Sequence, residues 1–426
     1  MLLIKNGRVI DPASRTDAQL DVLLEGGTIR DVAAGIVARD AAVFDATGLV
    51  VAPGFIDLHC HLREPGEEFK ETIESGTRAA ARGGFTAVCC MPNTKPVNDN
   101  AAVTRSIVER AAAVGSVRVW PIGAVTLGSK GEALAEIAAM RRAGIVAVSD
   151  DGRPVATAKL LRSAMEFCRE LQLTVIDHCE DTSLSAGGVM REGPTSIRMG
   201  LHGIPACAES LAVARGVQIA ELTGWKFHVA HLSCRESLDL VRRAKQKGVP
   251  VSCEVTPHHF TLTDEHIREY DTHFKMNPPL ASREDRDALI EGLAEGTVDC
   301  IATDHAPHDA ASKQVEFDKA PFGITGFETA LPLALRELVH PGRISLMRMI
   351  ELFTTGPARV LGPHVEQSRR IAKGCVADLT LFSTDRDWTF RAADSASKSK
   401  NTPFDGEKFR GGPAATIVGG EIAWKA

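Results

Sequence analysis

Aromatic residues are scarce, 5% of 426 positions with a single tyrosine. Positive charge is not in excess either: 49 Lys and Arg stand against 55 Asp and Glu, giving a net charge of −6 with the signs interspersed. With no basic stripe to meet phosphates and few rings, no nucleic-acid partner is expected. No apolar run approaches the roughly 18 residues of a membrane span, so no membrane association is expected. The opening "MLLIKNGRVIDP" lacks the apolar core and cleavage site of a secretory leader, and a cytoplasmic location follows as the expectation. Ten cysteines (60, 89, 90, 168, 179, 207, 234, 253, 300 and 375) fall irregularly inside mostly apolar runs. They read as reduced, buried small residues rather than a disulfide framework.

What is present is alternation. Strand-like runs occur at "GFIDLHCH" (54–61), "FTAVCCMPN" (85–93), "VRVWPIGAV" (117–125), "IVAVSDDG" (145–152), "LTVIDHCE" (173–180), "KFHVAHLS" (226–233), "VPVSCEVTPH" (249–258) and "VDCIATDHA" (298–306). Helical patterns lie between them, among them 69–84, 130–144 and 284–296, several closing on Gly. Eight strand-plus-helix units over about 300 residues predict an α/β fold, a (β/α)8 TIM barrel. A doubly wound open sheet is the competing layout, but no GxGxxG opens a helix after the first strand. The ends differ: residues 1–50 and the runs 377–383 and 414–426 read as short strands with Gly turns. The domain expectation is a small β-sandwich from 1–52 plus 363–426, with the barrel over 53–362. The polar stretch 385–412 reads as loop.

A barrel places its functional groups at the C-terminal ends of its strands. The first strand carries His59 and His61, which share a face by i, i+2 spacing, while Cys60 points away. Asp57 and Arg63 fall on the same parity, with Arg63 past the strand end. His59, His61 and Arg63 would repel one another with the imidazoles protonated, so something is expected to hold those rings neutral. Other strand ends offer Asp150 and Asp151, His178, His231 and Asp304. His228 lies three residues before His231, faces the other way by strand parity, and reads as structural. Asp150 and Asp151 are not separated by spacing. Imidazoles and carboxylates gathered at five strand ends suit Zn2+ or a similar divalent ion. Six ligand-type groups exceed the needs of one tetrahedral ion. Two ions about 3.5–4 Å apart, sharing a carboxylate and a hydroxide, use them better.

Taken with "DLHCHLREPG", "MPNTKP" (91–96), "HLS", "KMNPPL" (275–280), "ATDHAPH", "PFGITGFET" (321–329) and "NTPFDG" (401–406), the chain resembles the dihydroorotases, the long bacterial type within the amidohydrolase superfamily, almost end to end. The resemblance implies that His59 and His61 hold one zinc, that His178 and His231 hold the second, and that Asp151 bridges them. It implies that Asp304 is both a ligand and the proton shuttle. Arg63 and Asn93, joined by Asn277 and His308, would hold the substrate carboxylate, and His61 borders the same pocket. The backbone at Phe322 and Gly323 would contact the pyrimidine ring. Arg suits a carboxylate through its fork of donors, and the two Asn side chains each offer a donor and an acceptor.

The implied reaction is the reversible cyclisation of N-carbamoyl-L-aspartate to dihydroorotate plus water, the third step of pyrimidine synthesis. Many members of the superfamily bridge their metals with a carboxylated lysine on strand four. Here no lysine occurs between Lys130 and Lys159, so the bridge must be an aspartate, and one ion rather than two is the alternative. Two other functions compete: a different cyclic-amide hydrolase (allantoinase or hydantoinase), and an inactive dihydroorotase-like scaffold for aspartate transcarbamoylase. A homodimer is the expected assembly, with a complex with aspartate transcarbamoylase as the further candidate. The polar run 308–320 is expected to form a mobile cover over the substrate, an ordered surface loop being the alternative.

Overall fold

The computed structural model describes residues 1–363, 365 and 370–426. Each of the eight runs contributes a strand: β1 Phe55–Cys60, β2 Phe85–Cys90, β3 Arg118–Gly123, β4 Ala147–Val148, β5 Thr174–Asp177, β6 Phe227–Val229, β7 Val251–Val255 and β8 Cys300–Ile301. They lie side by side in chain order, every pair parallel. A parallel bridge between Cys60 and His305, with the His61 N–H donating to the His305 carbonyl at 2.8 Å, joins β1 to the end of β8. The ring of strands is thereby closed, and alternate residues fill its interior: Ile56, Leu58, Ala87, Cys89, Ile122, Ala147, Ile176 and Ala230 form one buried cluster.

The outer helices start where the sequence supplies caps. Thr72 and Ser282 accept N–H groups of the first turns of Ile73–Arg82 and Arg283–Glu295, completing capping boxes. The stretch 130–144 departs from expectation: only Ile137–Ala143 is helical. Residues before it fold back on β3, with Leu127 N–H donating to Ala133 O and Ala135 N–H to Val125 O. The Asp150 carboxylate holds that loop by accepting from Val125 N, Thr126 N and Thr126 Oγ1. Local helix propensity loses to this tertiary anchor.

The chain ends build one continuous eight-stranded sheet. Its order runs Glu421–Lys425, Lys408–Val418, Leu379–Thr389, Val50–Pro53, Leu2–Asp11, Thr16–Glu25, Thr28–Ala33, and Ala42–Asp45 pairs with Leu2–Asp11. It encloses its own core of Ile4, Val22, Leu24, Ile29, Leu379, Leu381 and Ile417. The sheet docks at the N-terminal end of the barrel, where Thr380 Oγ1 donates to Gly84 O and accepts from Phe55 N. The two ends of 385–412, read as loop throughout, are strand instead, in Leu379–Thr389 and Lys408–Val418. Asp387, Trp388 and Thr389 pair with Arg410, Phe409 and Lys408. The remaining connection, 390–407, crosses to the opposite end of the barrel. All ten cysteines are free thiols, nine of them buried and Cys207 exposed.

Candidate active site and metal centre

A register shift between Asp57 and Cys60 interrupts the simple alternation of β1. Asp57 therefore does not share the surroundings of His59 and His61. Its carboxylate accepts from Thr303 N at 2.8 Å and Thr303 Oγ1 at 2.7 Å, tying β1 to β8, and burial pushes its carboxyl up to about 7. His59 and His61 turn to the centre of the mouth. His59 Nε2 lies 3.3 Å from Asp151 Oδ1 and 3.6 Å from Asp304 Oδ1. His61 Nε2 lies 3.1 Å from Asp304 Oδ1 and 3.6 Å from Asp151 Oδ2. From β5 and β6 come His178 Nδ1 and His231 Nε2, 2.9 Å apart and 3.9 and 3.6 Å from Asp151 Oδ1. Asp151 thus stands in two buried groups, one with His59 and His61 and one with His178 and His231. Asp150, its neighbour, faces Thr126 instead. His228 stays out of both groups, hydrogen-bonded to Ser252 and Glu254. His231 reaches the centre because it follows the end of β6 with φ of 30°, a turn that strand parity from His228 does not carry through.

The donor set can be tested for a metal on its own atoms. Ligands 2.0–2.1 Å from a tetrahedral ion are separated by about 3.3 Å, close to the spacings above. His59 Nε2 and Asp151 Oδ1 are buried and have no hydrogen-bond partner, a costly state for two polar atoms unless a cation lies between them. Burial alone would raise the Asp151 carboxyl, but His59 and His231 hold it well below the usual carboxylate range. The residues present fit a divalent cation. Arg63, His231 and Asp304 also bring backbone tension to the site: φ is 59° at Arg63, 30° at His231 and 45° at Asp304, values that non-glycine residues adopt mainly where function over-determines them.

Beside this centre opens a cavity of about 350 Å³ lined by Arg63, Asn93, Asn277, His308, Phe322 and Gly323, with His61, Asp151, His178, His231 and Asp304 at its floor. Every residue that the resemblance implied for the site lies on this cavity except His59, which stands beside Asp151 and Asp304. Arg63 is buried, donates to Pro307 O at 3.3 Å, and forms no ion pair among the described residues. Asn93 Oδ1 accepts from His61 Nδ1 at 2.9 Å. His308 donates from Nε2 to Phe322 O at 2.8 Å, and burial together with Arg63, Lys313 and Lys70 brings its imidazole down to about 2. Gly323 has φ of 120°, and a Cβ there would sit 2.6 Å from that of Ala306, so only glycine lets the chain pass so near the cavity.

The run 308–320 is packed rather than loose. Lys313 and Phe317 are buried; Lys275 Nζ donates to Phe317 O and Asp318 O, and Lys313 Nζ to Pro321 O and Thr272 O. Residues not read from the sequence complete the surroundings. Glu254 accepts from His59 Nδ1, Glu180 from His178 Nε2, and Asn401 Nδ2 donates to Ala306 O and Gly323 O. The signals were slight: an acid inside the apolar "VSCEVTP", an acid two residues after His178 in "IDHCED", an asparagine opening "NTPFDG".

Comparison with known proteins follows the same lines. A dihydro-orotase-like family model matches residues 48–237. The chain is 56% identical over 425 residues to the dihydroorotase of Solibacter usitatus, covering 99% of this chain and 98% of that one. It is 50% identical over 427 residues to that of Syntrophotalea carbinolica, covering 100% and 99%. Among solved structures, the L-hydantoinase (dihydropyrimidinase) of Arthrobacter aurescens superposes with a TM-score of 0.89 at 25% identity, over 99% of this chain and 95% of that one. The D-hydantoinase of a Thermus species does so at 0.85 and 26%, over 100% and 96%. Sequence identity at this level over the whole length settles the matter: the chain belongs to the dihydroorotase family.

Proposed function

We propose that this chain is a dihydroorotase that interconverts N-carbamoyl-L-aspartate and dihydroorotate at the histidine–aspartate centre. The observation that carries the reading is Arg63, a buried guanidinium with no carboxylate among the described residues in ion-pair reach, facing the cavity next to that centre. Such a charge calls for an anion from outside, and a ring carboxylate matches its paired donors. Asn93, Asn277 and His308 stand around the same space, and the backbone of Phe322 and Gly323 closes its far side.

His59, His61 and Asp304 would hold one ion, and His178 and His231 a second, with Asp151 between them. Zinc suits this nitrogen and oxygen set. Bound there, divalent ions supply a polarised carbonyl and a water of lowered pKa. The chain's own groups do the rest. Arg63 fixes the carboxylate end, and the side-chain amides orient the ring. In hydrolysis, water oxygen bonds to the ring carbonyl carbon, the carbon–nitrogen bond breaks, and the nitrogen takes a proton. Asp304, whose carboxylate projects to the cavity floor, takes the proton from water and returns it to the departing nitrogen. Ring closure reverses each role.

The fold alone is shared with hydantoinases, so substrate identity is tested directly. Dihydroorotate, hydantoin and allantoin are assayed on one preparation whose metal content is also measured. Turnover of dihydroorotate with about two ions per chain is expected; faster turnover of either other ring would reverse the assignment. A cytoplasmic homodimer, with aspartate transcarbamoylase as a further partner, is the assembly proposed, and sedimentation with and without that enzyme distinguishes these states.

A further inference from the structure

Each half of the centre has a carboxylate behind one of its histidines, on the side away from the cavity floor's centre. Glu254, fully buried on β7, a strand that supplies no residue to the ligand set, accepts from His59 Nδ1 at 2.9 Å through Oε1. The same oxygen accepts the His231 backbone N–H at 3.3 Å, and Oε2 accepts from His228 Nε2 at 3.1 Å. His228 in turn is held by Ser252 Oγ at 2.8 Å. Across the site, Glu180 Oε2 accepts from His178 Nε2 at 2.6 Å and from Asn277 Nδ2 at 3.0 Å.

A carboxylate only accepts, so a histidine nitrogen hydrogen-bonded to one carries the hydrogen, here His59 Nδ1 and His178 Nε2. That fixes the tautomers: His59 presents a bare Nε2, and His178 a bare Nδ1, to the space around Asp151. The arrangement also answers a question of charge. Asp151, Asp304 and a shared hydroxide would supply three negative charges against the four positive ones of two divalent ions. Glu254 and Glu180 place further negative charge behind the site, one carboxylate to each half.

We propose that Glu254 and Glu180 are paired positioning residues, each setting the tautomer of one histidine and placing a negative charge behind one of two cations, Glu254 through His59 and Glu180 through His178. The inference rests on the metal-centre reading above. Glu254 has a second hold: by accepting the N–H of His231, it pins the strained turn that brings that ring into the other half. Glu180 has one as well, because Asn277, which lines the substrate cavity, shares its oxygen.

The test is metal affinity, measured apart from turnover. Wild-type chain, E254Q and E180Q are stripped, reloaded with zinc, and titrated against a chromophoric chelator, with metal content counted after dialysis. Removing such a partner weakens a metal about 10–100-fold. Each variant is expected to keep one ion near wild-type affinity and to lose the other by that factor. E254Q should also slacken the second ion slightly through His231, which E180Q should not do to the first. The thermal midpoint of the stripped protein separates this from general damage, since E180Q changes a side chain partly open to solvent and should melt like wild type without metal. If E254Q does not fold, E180Q alone carries the test. Variants that hold both ions as tightly as wild type overturn the inference. A wild-type chain that binds no zinc at all overturns instead the metal-centre reading beneath it.

Discussion

The side-chain oxygen of Asn401 accepts the backbone N–H of His308 at 2.9 Å. The two residues are 93 positions apart, and the contact carries the C-terminal connection back to the mouth of the barrel. The amide nitrogen of Asn401 donates to Ala306 O at 3.0 Å and Gly323 O at 3.1 Å, so one buried side chain ties together both walls of the carboxylate end of the cavity. Asn401→Ala leaves three backbone groups without partners. Unsatisfied buried groups cost about 1–3 kcal/mol each, part of which water entering the gap recovers. A lowered denaturation midpoint and a KM for dihydroorotate raised about tenfold, with a smaller change in kcat, are expected. An unchanged KM would detach this connection from the site.

Arg63 offers the second prediction. Its charge is buried and no carboxylate among the described residues lies in ion-pair reach, Glu67, Asp304 and Asp151 acting on it only from farther off, so its removal relieves the free enzyme while weakening the complex. Arg63→Met should lower kcat/KM for dihydroorotate about a hundredfold, in line with the roughly 1.5–3 kcal/mol of a charged hydrogen bond. Thermal stability should hold or rise, because a desolvated charge is gone. Arg63→Lys should recover little, since an ammonium lacks the flat paired donors. Steady-state kinetics beside thermal melts reads both halves, and a loss of stability comparable to the loss of activity would argue for a structural arginine.

These contacts show where the sequence was legible. The eight strands stood out because each is an apolar run bounded by turn residues, and the ligand-type side chains because they cluster at strand ends. Strand parity worked for His59, His61 and Cys60 but failed for Asp57, since a bulge changes the count and leaves no mark in residue type. Asp150 and Asp151 are chemically alike, and only the fold shows that the first anchors the loop at Thr126. Glu254, Glu180 and Asn401 meet partners as far as 195, 97 and 95 residues away. The first half of the helix expected over 130–144 was lost where Asp150 holds the preceding loop through Val125 and Thr126. Local pattern conveys which face is buried; it does not convey which buried polar groups will meet.

Asp304 lies with its Oδ1 3.1 Å from His61 Nε2 and borders the cavity. Asp304→Asn keeps the shape and one acceptor oxygen but cannot carry a proton between water and nitrogen. A loss of about 10²–10⁴ in kcat is expected, the usual worth of general acid–base transfer, with metal content kept at or above half the wild-type value. Near-full turnover in the variant would assign the proton transfer to another group.

Lys313 gives a prediction about pH. It is the buried lysine within 308–320, with its ammonium on main-chain carbonyls, and burial with Lys275 nearby lowers its pKa from 10.5 to about 7. In the unfolded chain the amine stays protonated up to about 10.4. Between those values the unfolded state binds more protons than the folded one, so this residue makes stability rise with pH from about 7 to about 10, by up to about 1.4 kcal/mol per unit. Below pH 7 both states carry the proton and the full cost of the buried charge remains. Lys313→Met removes the titration but strands the carbonyls of Thr272 and Pro321. Chemical denaturation of both proteins from pH 6.5 to 9.5 should show the wild type gaining stability relative to the variant as pH rises. Proteolysis within 308–320, corrected for the protease's own pH dependence, should slow over the same range in the wild type alone. Parallel stability curves would mean that the Lys313 amine reaches solvent and that the segment is fastened by its apolar contacts, Phe317 first among them.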